Sequence, residues 1–100
     1  MTERRTETLR ELAERLRSLV ATPVSDRAEL HDWYAAAKRL EDWMSAHASE
    51  LSGAVPHFVW HYLADADIRL KDPLYAVDQT RQLMDIVHAL ERGEPPEAAS

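Results

Sequence analysis

Leu9, Leu12, Ala13, Leu16, Leu19 and Val20 recur at steps of three and four near the start of the chain. That period is one face of an α-helix. It predicts a first helix over about residues 3–21. The helix should stop at Thr22, because Pro23 pushes the residue before it into extended geometry. Two opposite-charge pairs four residues apart, Glu11 with Arg15 and Arg10 with Glu14, are expected on its outer side.

A second stripe follows: Leu30, Trp33, Ala37, Leu40, Met44, His47 and Leu51. Its steps alternate between three and four, as in a coiled-coil seam. It predicts an unbroken helix over about 26–52. Asp26 reads as its N-cap, with Glu29 as the capping-box partner, and Gly53 as the left-handed residue that closes it. A third helix is expected over about 56–71, with Pro56 in its first position. A fourth is expected over about 73–92, capped by Asp72, opened by Pro73 and stopped by Gly93. Its apolar face is Tyr75, Ala76, Leu83, Ile86, Val87 and Leu90.

No alternating strand pattern and no internal repeat occurs. The expected fold is therefore all-α, a compact four-helix antiparallel bundle joined by short connections. The third and fourth helices meet at a tight Asp-Pro corner, which either folds back sharply or makes one kinked rod. Residues 1–93 form one domain in this reading, and 94–100 form a flexible polar tail.

Composition supports helix and narrows function. Glycine occurs twice and phenylalanine once, against abundant Ala, Leu, Glu and Arg. Hydrophobic residues make up 45% of the 100, enough for a core. The absence of cysteine removes disulfides, thiolate metal sites and a cysteine nucleophile, and the cytoplasm is the simplest setting. The first sixteen residues carry charge through their apolar positions, unlike a signal peptide. No apolar run approaches the roughly 20 residues of a membrane span. The formal net charge of −6 argues against nonspecific nucleic-acid binding, which needs a cationic surface. It leaves a basic protein open as a partner.

The candidate chemistry sits in PHFVWHYLADAD, residues 56–67. On a regular helix at 100° per residue, His57, His61 and Asp65 fall within about 80° of one another, roughly opposite the stripe of Val59, Leu63, Ala66 and Leu70. Two imidazoles at i and i+4 can share one ion. A zinc or other divalent site would use His57, His61 and Asp65, completed from the fourth helix by Asp85 or His88. The competing reading is an ordinary wet helix face. Ile68 and Trp60 interrupt that face and point to a contact surface instead. His47, inside the second stripe, is expected to bond a neighbouring carbonyl or carboxylate. Asp65 with Arg69, and Asp67 with Lys71, are expected i,i+4 ion pairs.

There is no glycine-rich phosphate loop, no HExxH and no nucleophile elbow. The expected function is a small helical protein-interaction module without a cofactor, most simply a homodimer. Trp43, Trp60 and Ile68 are its expected contact residues. The alternatives are the metal-binding bundle, with hydrolysis as its activity, and an acidic inhibitor or antitoxin-like regulator of a basic partner.

Overall fold

Four N- or C-terminal signals position the helices where the sequence places them. Asp26 Oδ1 accepts from the Glu29 amide at 2.8 Å. Asp72 Oδ1 accepts from the Leu74 and Tyr75 amides, with Pro73 in the first turn. Gly53 and Gly93 adopt φ of 75° and 73°, the left-handed geometry expected just past a helix end. The computed structural model describes residues 2–94, with side chains from residue 4 onward. The expected tail beyond Glu94 lies outside the described residues.

Among the described residues six helices follow in chain order: α1 (Thr2–Ala21), α2 (Arg27–Ala46), α3 (Ala48–Leu51), α4 (His57–Ala64), α5 (Ala66–Lys71) and α6 (Pro73–Glu91). Among the described residues there is no strand. The Cα radius of gyration is 13.4 Å, close to the roughly 13 Å of a compact 100-residue domain.

Two expected helices are each broken once. The 26–52 helix divides at His47, whose φ of −114° and ψ of 25° leave the helical region. Its ring folds back, with Nδ1 2.9 Å from the Trp43 carbonyl and the imidazole 4.4 Å from the Trp43 ring. The carbonyl bond expected of this histidine is therefore present. The 56–71 helix divides at Asp65 (φ −105°, ψ 17°). Tyr34 from α2 bridges that break: its hydroxyl lies 3.1 Å from the Ala64 carbonyl, ending α4, and accepts from the Asp67 amide, opening α5. A helix end exposes free carbonyls and amides, and here another helix supplies their partner.

Smaller differences have local causes. Pro56 is the N-cap of α4, with extended ψ of 151°, and not its first helical residue. Glu29 turns back to the amide and hydroxyl of Ser25, one residue before the cap it was expected to reach. The pair of Arg15 with Glu11 forms at 2.7 Å. Arg10 leaves Glu14 and donates to the Glu91 carbonyl, because α6 lies alongside.

α1 packs most extensively on α6. Arg17 pairs with Glu91 at 2.7 Å, and Thr6 lies against Gly93, so the start of α1 lies at the end of α6. The α1 stripe of Leu9, Leu12, Ala13, Leu16 and Leu19 is buried. It meets Leu83, Ile86, Val87 and Leu90 of α6 and Trp33, Ala37, Leu40 and Met44 of α2 in one core. Trp33 is buried whole because its Nε1 donates to the Leu19 carbonyl at 3.1 Å. The tight joint at Asp72 connects α5 to α6, which pack against each other.

Candidate functional site

The α5–α6 corner holds a polar chain the sequence did not announce. Gln79 sits on the core face of α6 and is 3% exposed. Its Nε2 donates to Asp65 Oδ2 at 2.9 Å, and its Oε1 accepts from Arg69 Nη1 at 2.6 Å. Tyr75 donates to the same Asp65 oxygen at 2.8 Å. Arg69 Nη1 also donates to the Tyr62 carbonyl at 2.7 Å, at the end of α4. The expected ion pair of Asp65 with Arg69 is thus replaced by a link through Gln79. Asp67 binds the Tyr34 hydroxyl and not Lys71. In both cases a side chain from another helix takes the carboxylate: Tyr75 and Gln79 of α6 hold Asp65, and Tyr34 of α2 holds Asp67.

Burial sets the electrostatics of this corner. Desolvation presses the Arg69 guanidinium below its ordinary pKa, against the favourable fields of Tyr62 and Asp65. Burial raises the Tyr62 phenol, and the bond to Asp65 raises Tyr75. The Arg69 guanidinium lies over the Tyr62 ring, its central carbon 3.7 Å from the ring centroid, where the aromatic face offsets part of the lost hydration.

His57 and His61 are exposed neighbours on α4, with ring centroids 4.8 Å apart. Asp65 lies beyond the end of α4, its carboxylate engaged with Tyr75 and Gln79. Asp85 and His88 are exposed on α6. Among the described residues, no three His, Asp or Glu side chains are grouped to hold a metal ion. The pair supplies two ligands on one turn, and any third must come from elsewhere.

The three expected contact residues differ in surroundings. Trp43 is half-buried, with His47 against its ring and the Arg15 guanidinium 4.6 Å from its centroid. Trp60 is 41% exposed and edges an apolar groove of about 230 Å³ with Met44, Ala48, Leu51 and Val55. Ile68 is 43% exposed on α5. Leu74 and Val77, absent from the expected contact residues, are 80% and 57% exposed. They lie one turn apart on α6, just past the corner. Their signal was present: both fall outside the stripe of Leu83, Ile86, Val87 and Leu90. Asp78 and Arg81 stand one turn beyond them on the same side, and both are exposed.

Compared with known protein families, curated proteins and solved structures, the chain has no match. Among the described residues, no helix is long and apolar enough to cross a membrane.

Proposed function

We propose that this chain is a protein-interaction module that pairs with a second copy of itself through the α5–α6 corner. The carrying observation is the exposure of Leu74 and Val77 side by side, with Ile68 on the preceding helix. The other large aliphatic side chains are mostly drawn into one core, so these three stand apart. Moving a Leu or Val from water into an interface contributes about 1.5 to 3 kcal/mol. The scaffold is read as a four-helix antiparallel bundle, in which α2 with α3 and α4 with α5 each count as one bent limb.

A two-fold pair brings one patch against its own copy, so the rim must complement itself. Asp78 and Arg81 give that rim both signs, and Lys71 and Asp72 flank it at the corner. A twofold axis can set the acid of one copy opposite the base of the other. The cysteine-free composition is compatible with the cytoplasm.

Sedimentation equilibrium tests the reading. The expected mass is twice 11.5 kDa at high protein concentration. Leu74→Asp with Val77→Gln should return it to 11.5 kDa with the helical circular dichroism unchanged. Both positions are open, and aspartate suits the first turn of a helix. A wild type that stays monomeric would sink the proposal. A dimer that survives this variant but not Trp60→Ala would move the interface to the Trp60 groove.

A further inference from the structure

Arg69 faces a second feature, separate from the exposed corner. A cleft of about 250 Å³ opens between the α1–α2 connection and the start of α6. Its lining mixes apolar side chains, among them Val24, Leu70 and Ala76, with Thr22 and Thr80, and Arg69 lines it as the one cationic side chain. Among the described residues, no carboxylate lies within ion-pair distance of that guanidinium. Its Nη1 is used twice, by Tyr62 and Gln79. Its Nε and Nη2 find no protein acceptor there. Among the described residues no buried side-chain nitrogen or oxygen lacks a partner, so these free N–H groups reach open space.

We propose that this cleft binds a small carboxylate carrying one apolar group, with the carboxylate on Arg69 and the apolar group against Val24, Leu70 and Ala76. A guanidinium presents its N–H groups as a planar fork that matches a carboxylate. Arg69 is already fixed for this: Tyr62 supports one face, and Gln79 holds one nitrogen. The Asp65 carboxylate is bonded by Tyr75 and Gln79 and not by Arg69, so Arg69 has no direct ion pair. Apolar side chains around a few placed polar groups are the usual make-up of a small-molecule site. The volume lies below the roughly 300 to 1,000 Å³ of drug-sized pockets, so the ligand is limited to one ring or a short chain. The carboxylate could belong to a free acid or to a peptide C-terminus.

The indole N–H of Trp33, bonded to Leu19 at the cleft, reports on occupancy by NMR. Trp43 and Trp60 lie elsewhere and serve as internal controls. Phenylacetate should move the Trp33 signal with Kd on the order of 1 mM, a strength in keeping with so few atoms. Phenylacetamide, of the same shape but uncharged, should bind at least tenfold more weakly. Arg69→Gln should abolish the difference between them. Ala76→Leu narrows the cleft while leaving Arg69 in place, and should weaken phenylacetate with the fold intact. A tripeptide ending in leucine, compared as acid and amide, separates the two sources. Tighter binding of the peptide acid assigns a chain terminus, and tighter binding of phenylacetate assigns a free acid; either supports the site. Equal binding of phenylacetate and phenylacetamide, or no Trp33 shift with any acid at 20 mM (about twentyfold the expected Kd), would overturn it. These readings do not depend on the oligomeric state, so failure here and failure of the dimer are distinct outcomes.

Discussion

Gln79 occupies a position on the inner face of α6 where the helical pattern calls for an apolar residue. Its amide joins Asp65 to Arg69, and with Tyr75 it completes a polar chain inside the packed corner. Gln79→Leu roughly keeps the volume and removes its bonds to Asp65, Arg69 and Tyr75. Arg69 retains the Tyr62 carbonyl and Asp65 retains Tyr75, so neither is orphaned outright. The expected destabilisation is about 1 to 3 kcal/mol in urea melts, the cost of leaving desolvated groups with fewer partners. A variant as stable as the wild type would show that the corner packs equally well without the link. Periodicity marks Gln79 as facing inward but is silent about its partners. Two of those partners, Asp65 at the break and Arg69 on α5, come from outside its own helix.

Helix ends were legible in the sequence and helix breaks were not, for a physical reason. An end is written locally. Asp26, Asp72 with Pro73, Gly53 and Gly93 each act on amides, carbonyls or dihedrals within a few residues. The breaks at His47 and Asp65 are stabilised by groups that periodicity cannot register. The α2 stripe runs on through His47 to Leu51, which is buried in α3, so the hydrophobic pattern carries no trace of the interruption. The histidine stack predicted for the 56–71 helix failed at the same kind of place. His57 and His61 do lie together within α4, whereas Asp65 lies past its end. The seam itself holds, and it can be tested at its centre. Leu40 is 4% exposed among the core side chains. Leu40→Ala is expected to cost about 2 to 5 kcal/mol through lost transfer energy and a residual cavity. A loss below about 0.5 kcal/mol in a denaturant melt would place Leu40 outside the cooperative core.

At the scale of the whole molecule, charge and apolar surface pull in opposite directions. Each copy carries a formal charge of −6, so two copies repel before their patches meet. The Leu74 and Val77 patch must supply the attraction, since exposed rim pairs contribute at most about 1 kcal/mol each. Salt shortens the range of the repulsion to about 10 Å at 0.1 M and leaves apolar contact nearly untouched. Self-association should therefore strengthen several-fold between 0.05 and 0.5 M sodium chloride at neutral pH, a screening effect. A basic partner held by the acidic helices would behave oppositely, because its attraction is the part that salt removes. Sedimentation across that salt series separates the two. Tightening of the dimer supports the apolar corner as the contact. A dimer that falls apart with salt would mean that opposite charges hold the copies together, and the Leu74 patch would no longer account for the pairing.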